Sequence, residues 1–279
     1  MHVRIILLVL VALSAAACAG VQPISPGAPR RKQPLYPVVL ADKTLRTEAA
    51  SAAWAQLINQ QGISGKPAVT LQPITATIRS LPDNVAGHLY LSKVGTSAQM
   101  SEEETRESLR RFLNEWKMLL GADPPQLSLV NETTNADGTK TAFYEQRPFS
   151  YPLRGEYGKV DIRFAPDRRV LELSSTAIPD SERIQAALTA AQPVVKAEEI
   201  PAKLVGRTLN YSDSSGEHTY TVTSSTQLTV QQLVIYPRLI SNQPAALEFH
   251  LAWEINLTNA PVKVIYLDAL QDEVIAVSQ

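Results

Sequence analysis

Cysteine and histidine are the scarce residue types in this sequence. Among 279 residues there are one cysteine and four histidines. A single cysteine excludes an internal disulfide framework, because a bridge needs two thiols. Apart from His2 at the N-terminus, the histidines are His88, His218 and His250, which are scattered and have no cysteine beside them. We interpret each as a surface or hydrogen-bonded histidine, and we predict no metal site and no cofactor.

The sequence also has no excess of positive or negative charge. Lysine and arginine total 26, aspartate and glutamate total 27, and the formal net charge is −1. A protein that binds nucleic acid needs a basic surface to neutralise phosphates, so we expect no nucleic-acid partner. Hydrophobic residues make up 44% and charged residues 19%, as in chains that bury a core. The chain is therefore expected to fold.

The spacings of common catalytic sites are absent from the sequence too. There is no His-Glu-x-x-His zinc helix, no Gly-x-Ser-x-Gly nucleophile turn, no phosphate-binding glycine-lysine loop and no Gly-x-Gly dinucleotide turn. Three glutamates, residues 102–104, stand at a helix start, where they suit the positive end of the helix dipole. We therefore predict a protein without catalytic residues, which is not an enzyme.

What is present at the N-terminus is a secretion signal. A short basic start is followed by an apolar run from Ile5 to Leu13 and then by small residues. The run has about half the length that a membrane-spanning helix needs, so residues 1–17 are predicted to be a signal peptide.

The small residues end at Cys18, and residues 14–18 (SAAAC) resemble the lipobox of bacterial lipoproteins. That resemblance implies acylation of Cys18 and attachment to a membrane in the bacterial envelope, although Ala15 replaces the usual leucine. With alanine at position 19, a Gram-negative cell would place the protein on the periplasmic side of its outer membrane. The alternative is an ordinary signal peptide, cut near Ala17, that leaves a stray thiol.

Proline marks the next segment, residues 18–43. Five of the 19 prolines lie between residues 21 and 37, which favours an extended tether of about 3.1 Å per residue. Beyond it, apolar residues recur at three and four positions from 44 to 61 and from 109 to 120, and the second helix opens with a capping box at Ser101 and Glu104. A third helical stripe runs from Ile184 to Ala191.

Strand patterns follow each of the last two helices. Residues 159–164 (KVDIRF) alternate with period two, which is typical of an antiparallel sheet with one buried face. The sequence predicts an α+β fold of two cystatin-like modules, each a helix packed on an antiparallel sheet. Their predicted ranges are residues 44–179 and 180–279.

Residues 141–170 resemble the fungalysin/thermolysin propeptide (FTP) family. The family pattern is an aromatic strand ending in glutamine, an Ile-Pro-Val turn followed by glycine, and a strand running into an aspartate turn. Gln146, Pro152 and Gly155 match that pattern, whereas Tyr151 and Leu153 replace the Ile and Val of the turn. The preceding helix is similar to the helix that ends "FL … LFG" in that family.

The C-terminal part is similar to the PepSY module that follows this propeptide region. Trp253 lies in a Leu-Ala-Trp strand, and residues 268–274 (DALQDEV) resemble the family's Asp-Ala-x-Thr-Gly-Glu-Val turn. Asp268, Ala269 and Glu273 match it, while Asp272 replaces the glycine, which predicts an altered turn. The resemblance covers residues 67–279; a generic cystatin-like strand and turn pattern is the alternative.

Propeptides of this family hold and fold a zinc peptidase, whose domain this sequence lacks. The resemblance therefore implies a free-standing lipoprotein that binds a secreted thermolysin-like metallopeptidase in trans, as an inhibitor or a folding chaperone. An envelope adaptor that reuses the propeptide fold without a peptidase partner is the other hypothesis.

Overall fold

The computed structural model describes residues 35–41, 44–97, 99–240 and 246–279. Strands account for 38% of these described residues and helices for 24%. Residues from Pro34 to the C-terminus form one compact unit. The leader, Cys18 and the first part of the predicted tether lie outside the described residues.

The described residues contain four α-helices. These are α1 (Thr44–Gln60), α2 (Glu102–Leu120), α3 (Ser181–Ala190) and α4 (Ile200–Leu204). The first three lie where the apolar spacing predicted helices, within a few residues at each end. The short helix α4 was not predicted from the sequence.

A five-stranded antiparallel sheet, the first sheet, occupies the middle of the chain. Its order is β4-β8-β7-β6-β5, with β4 (Leu89–Tyr90), β5 (Leu127–Thr134), β6 (Lys140–Gln146), β7 (Lys159–Phe164) and β8 (Arg169–Ser175). A small hairpin of β2 (Thr70–Leu71) and β3 (Ile78–Ser80) precedes it. The alternation predicted for residues 159–164 is confirmed, since Val160, Ile162 and Phe164 are buried.

Helix α2 packs on the first sheet. Its predicted capping box is confirmed: Glu104 N donates to Ser101 Oγ over 3.2 Å, and Ser101 N donates to Glu104 Oε2 over 2.8 Å. Gly121 ends the helix at φ 75, a left-handed conformation that glycine adopts without a steric cost. The apolar stripe of α2 shares one core with β6, β7 and β8 and with Trp54 of α1, which stands edge-on to Trp116.

A second five-stranded antiparallel sheet is built around one long strand. This strand, β12 (Ala246–Thr258), pairs along one side with β11 (Gln227–Ile240). Along its other side β12 pairs first with β1 (Val38–Ala41) and then with β13 (Val264–Asp268), and β14 (Val274–Ser278) adds to β13. The N-terminal strand thus completes the sheet of the C-terminal half.

One face of the second sheet is covered by short elements. Ile184 and Leu188 of α3 pack on Leu40, Leu247 and Phe249 at the β1 end. At the other end the cover is α4 together with the hairpin of β9 (Thr208–Asp213) and β10 (Gly216–Thr221), through Leu204, Leu209 and Val222.

The predicted fold class, two helix-on-sheet cystatin-like modules, is wrong: the described chain is mostly β, with several antiparallel sheets. Two features explain the difference. The sheet of the second half takes a strand from residues 38–41, which were predicted to belong to the tether. Helix α3 spans only part of that sheet. A four-residue strand within a proline-rich segment carries too little alternation to be recognised from sequence.

Candidate functional site

Gln146, the first of the predicted motif positions, ends β6 and clamps a distant backbone. Its buried Nε2 donates to the carbonyl oxygen of Ile178 over 3.0 Å, and its Oε1 accepts from the Ile178 amide over 2.8 Å. A side-chain amide offers both a donor and an acceptor, which this double contact requires. Gln146 therefore fixes the segment between β8 and α3 to the first sheet.

Pro152 and Gly155 lie in the loop 147–158, which joins β6 to β7 and reaches the second sheet. The Ile235 amide donates to the carbonyl of Pro152 over 2.9 Å, and the Arg154 amide donates to the carbonyl of Ile235 over 3.0 Å. Gly155 has φ 83 and lies beside the ring of Tyr236. A side chain there would be strained by the backbone conformation, whereas the space beside the ring is sufficient.

Arg154 adds a charged contact to this docking. Its Nε donates to Glu254 Oε1 over 2.8 Å and its Nη2 donates to Glu254 Oε2 over 3.0 Å, which is the paired geometry that a guanidinium and a carboxylate favour. These bonds from Arg154 outweigh the burial of Glu254 and hold the pKa of that carboxyl below its ordinary value. The loop is thus tied to β11 through its backbone and to β12 through an ion pair.

A cavity of about 430 Å³ lies within the same loop, lined by Phe149, Tyr151 and Tyr157 among others. Three cations border it. Each has a carboxylate partner among the described residues: Arg147 with Glu145, Arg154 with Glu254, and Lys159 with Glu156. Their charges are already balanced, so the cavity does not favour an anionic ligand.

The second sheet carries a partly exposed face opposite to the one that α3 and the β9–β10 hairpin cover. Tyr236 and Tyr266 lie there as a ring pair with centroids 4.5 Å apart, above Val234 and Ala252. The Arg154–Glu254 pair flanks them on one side. On the other, Arg238 lies 2.8 Å from Glu248 and 2.9 Å from Glu273. We call these residues the aromatic face: Arg154, Tyr236, Arg238, Glu248, Glu254, Tyr266 and Glu273.

The last three motif positions, Asp268, Ala269 and Glu273, form the turn between β13 and β14. Asp268 Oδ1 accepts from the amides of Leu270 and Gln271 over 2.7 and 2.8 Å. The Ala269 carbonyl accepts from the amides of Val194 and Val195, over 2.8 and 2.9 Å. Main-chain bonds from Ala269 thus hold the segment before α4 against the sheet.

Asp272, where the family pattern has glycine, adopts φ 58. That left-handed conformation suits glycine best and is tolerated by aspartate. The carboxylate of Asp272 also pairs with Lys203 over 3.1 Å and with Arg207 over 2.9 Å. The turn keeps a left-handed residue and gains two ion pairs to the end of α4.

Trp253 lies on the covered face of β12. Its Nε1 donates to the Val195 carbonyl over 2.8 Å, and its ring packs against the core under the β9–β10 hairpin. The seven motif positions therefore form two groups, one in the loop 147–158 with Gln146 and one around the β13–β14 turn. The Arg154–Glu254 pair and the aromatic face connect the two groups.

His250 is fully buried between two carboxylates. Its Nδ1 lies 2.6 Å from Asp268 Oδ2, and its Nε2 lies 3.3 Å from Glu248 Oε2. Tyr36, just before β1, donates its hydroxyl to the same Asp268 oxygen over 2.8 Å. The prediction of a hydrogen-bonded histidine holds for His250, while the histidine's link to Tyr36 had no signal in the sequence.

Charge and burial compete within this network. Burial of Asp268 opposes its ionisation, but hydrogen bonds from His250, from two amides and from Tyr36 prevail and hold its pKa below the ordinary value. Burial, together with the nearby Asp268 charge, raises the pKa of Tyr36 far above its ordinary value. Tyr36 is therefore a neutral donor and Asp268 an anion throughout the physiological range.

A serine, a histidine and an aspartate also meet in the turn of the β9–β10 hairpin. His218 Nε2 lies 2.9 Å from Ser215 Oγ and 3.0 Å from Asp213 Oδ1. A catalytic triad uses the two ring nitrogens separately, one for the serine and one for the aspartate. Here one nitrogen meets both partners, and Ser215 Oγ itself donates to Asp213 over 2.6 Å. The cluster is a capped turn.

No group of three or more His, Cys, Asp or Glu side chains that could hold a metal ion occurs in the part of the chain that the structure describes. Within the described ranges, no helix is both long and apolar enough to cross a membrane. Cys18, the predicted lipid attachment site, lies outside those ranges.

Comparison with known proteins gives no family assignment. No protein-family model matches the sequence, and no curated protein matches it either. The resemblance to the FTP and PepSY modules therefore rests on the motif positions themselves.

Several residues of the site had no role in the sequence analysis, notably Tyr36, Arg154, Tyr236 and Tyr266. Tyr236 stands alternate to Arg238 along β11, a period-two signal that marks a shared face. Which of the two faces is exposed depends on α3 and the hairpin of β9 and β10, which follow from the tertiary fold.

Proposed function

We propose that this protein is a non-catalytic, propeptide-like lipoprotein that binds a secreted thermolysin-like metallopeptidase in trans, as an inhibitor or a folding chaperone. The proposal starts from the resemblance to FTP and PepSY modules. Gln146, Pro152, Asp268 and Ala269 all make contacts between segments that are far apart in the sequence. Roles of this kind suit a scaffold that holds a partner rather than one that performs chemistry.

The observation that carries the proposal is the composition of the aromatic face. Tyrosine and arginine are enriched at protein interfaces, where they supply large contact areas with few rotatable bonds. Here two tyrosines share the centre, and each neighbouring arginine is fixed by a carboxylate. Because these side chains are already ordered, they would lose little further conformational entropy when a partner binds.

The lipid on Cys18 would hold this activity at a membrane of the bacterial envelope. Labelling cells with a palmitate analogue tests the anchor. Incorporation that disappears in Cys18→Ser is expected, and equal labelling of the two proteins would exclude Cys18 as the attachment site.

The peptidase partnership is tested with lipid-free protein, made as the Cys18→Ser chain, and a panel of thermolysin-like peptidases that includes any encoded beside this chain. An inhibitor slows peptide hydrolysis by the native peptidase. A chaperone instead raises the recovery of activity when the urea-unfolded peptidase is refolded. No effect in either assay on any peptidase would contradict the proposal and favour an envelope adaptor.

Substitutions locate the contact. Tyr236→Ala removes one ring of the aromatic face and is expected to weaken either effect at least tenfold, the size typical of an interface anchor. Tyr90→Ala is the matched control, since Tyr90 is an exposed tyrosine of the first sheet. Equal losses in both variants would show that the aromatic face is not the contact.

A further inference from the structure

A chain of ionisable side chains crosses the second sheet at the point where β1 begins and β13 ends. It runs from Tyr36 through Asp268 and His250 to Glu248, with contacts of 2.8, 2.6 and 3.3 Å. The side chains of His250 and Asp268 are both 0% exposed. The contacts join the residues before β1 to β12 and to the end of β13.

The contacts of His250 indicate which of its ring nitrogens carry protons. A carboxylate only accepts hydrogen bonds, and a neutral imidazole has one N–H, whereas imidazolium has two. Both ring nitrogens of His250 face carboxylate oxygens. With a neutral ring, one nitrogen would direct its lone pair at a carboxylate; with the imidazolium, both contacts become charge-assisted hydrogen bonds.

The surrounding charges favour the protonated ring. Asp268 and Glu248 touch it directly, and Tyr236 is its register partner on β11. Arg238 already binds Glu248 and Glu273, so its positive charge is shared between two carboxylates. Without a charge on His250, these three carboxylates would face a single cation. Tyr36 stays neutral as a donor and packs edge-on against the imidazole with ring centroids 6.0 Å apart.

We propose that both ring nitrogens of His250 carry protons in the folded protein and that the residue acts as a proton-linked latch, which fastens the Tyr36 end of β1 to the second sheet. Tyr36 is the joint: its hydroxyl donates to Asp268 and accepts from the Leu251 amide over 3.0 Å. When His250 loses a proton to solvent, Asp268 loses its charged partner. If the proton leaves Nε2, the lone pair of that nitrogen then faces the Glu248 carboxylate. The network that anchors Tyr36 then weakens, and β1 opens more often.

This latch holds the first strand of the described chain, which lies within the segment predicted to be the tether. β1 is only four residues long and pairs with one strand, β12. A strand that short has little cooperative stability of its own, so local opening is governed by the contacts at its ends. The latch therefore sets how firmly the start of the folded unit is held, independently of any peptidase partner.

Nitrogen NMR of the Cys18→Ser chain with ¹⁵N-labelled histidine tests the protonation state without any change at the network. In the folded protein at about pH 7, both His250 nitrogens are expected at protonated imidazolium shifts. The same sample in urea provides the reference titration of an unfolded histidine. A neutral, singly protonated His250 ring in the folded protein at that pH would overturn the proposal.

Amide exchange of β1, corrected for intrinsic rates, tests the latch itself. Wherever the closed network holds one more proton than the open form, opening of β1 should grow about tenfold per pH unit. His250→Gln, which cannot titrate, should abolish that slope, and Tyr36→Phe should raise β1 exchange at every pH while leaving the imidazole shifts of His250 in place. If exchange of β1 in the unsubstituted network does not depend on pH, the latch is excluded.

Discussion

At the scale of single residues, Gln146 holds together two segments that lie far apart in the sequence. Its side-chain amide makes both hydrogen bonds that the buried backbone of Ile178 offers. Gln146→Ala would leave a buried N–H and a buried carbonyl unpaired, each at a cost of about 1–3 kcal/mol. The variant should therefore unfold at lower urea, with a loss of about 2–4 kcal/mol.

Gln227→Ala is a suitable control, because Gln227 is exposed at the start of β11. Surface changes of this kind shift stability by about 0.5 kcal/mol or less. A Gln146→Ala loss no larger than that of the control would show that the clamp on Ile178 does not stabilise the fold.

Replacement by asparagine should have opposite effects on stability at Asp161, in β7, and at Asp137, in the turn between β5 and β6. Burial raises the pKa of Asp161, so its ionised form is disfavoured in the fold and its contribution is lost as pH rises. Hydrogen bonds from Thr139 and Arg163 lower the pKa of Asp137 to about 2, so its contribution is present at neutral pH. At pH 7, Asp161→Asn should raise the free energy of unfolding and Asp137→Asn should lower it.

Urea unfolding at several pH values measures both effects, and each variant is the control for the other. As the pH falls below the ordinary carboxyl range, Asp161 becomes neutral in both states and the gain from its amidation should disappear. A gain for Asp161→Asn that persists unchanged in acid would point to packing rather than charge.

Among the individual residues, those with a local pattern were predictable. The turn at Asp268 and Ala269 was identified from its resemblance, and the structure shows both side chain and backbone of the turn engaged. Asp272 was expected to alter the turn, yet aspartate tolerates the left-handed conformation that the position requires. The role of Tyr36 could not be inferred, because Asp268 lies over two hundred residues away along the chain.

At the scale of secondary-structure elements, α2 is the best defined. Its capping box satisfies backbone donors at the first turn, and Gly121 closes the last. Ser101→Ala removes the side-chain acceptor for the Glu104 amide and should lower the free energy of unfolding by about 1 kcal/mol. Glu103→Ala, an exposed change in the same turn, is the control and should have an effect of about 0.3 kcal/mol.

Chemical denaturation followed by circular dichroism resolves a difference of that size. Equal stabilities of the Ser101→Ala and Glu103→Ala proteins would show that the capping box contributes nothing beyond general helix-end electrostatics.

The elements differ in how far the sequence predicted them, and the reason is length. Helices α1 and α2 and strand β7 carry several periods of an apolar pattern, and they lie close to their predicted bounds. β1 and α4 have four and five residues, too few to show a period. The loop 147–158 was identified through Pro152 and Gly155, but its docking on Ile235 depends on how the two sheets meet.

At the scale of the whole molecule, stability should fall in acid. Glu248, Glu254 and Asp268 all have pKa values below their ordinary ones, because hydrogen bonds from arginine, histidine and amides outweigh burial. The unfolded chain binds more protons than the fold as pH drops below the ordinary carboxyl range, so the contribution of these groups is lost there.

Urea titrations from neutral pH into acid measure this loss. Glu254→Gln should be less stable than the parent at pH 7 and should show a shallower decline, so that the two curves converge in acid. Parallel curves would exclude Glu254 from the acid response.

The fold class was mispredicted at this same scale. The helix-then-strands order of each half suggested two separate modules, but β1 and the loop 147–158 both cross from the first half to the sheet of the second. Such crossings leave no local pattern in the sequence, because the apolar alternation of a strand or loop is the same whichever sheet it pairs with.

The central claim is that the molecule binds a metallopeptidase as a protein partner. Isothermal titration of the lipid-free chain into a thermolysin-like peptidase encoded beside it tests this most directly. We predict a 1:1 complex with a dissociation constant below about 1 µM, corresponding to about −8 kcal/mol, that is weakened by Tyr236→Ala and unchanged by Tyr90→Ala. Absence of heat and of a complex at concentrations well above that value would contradict the account.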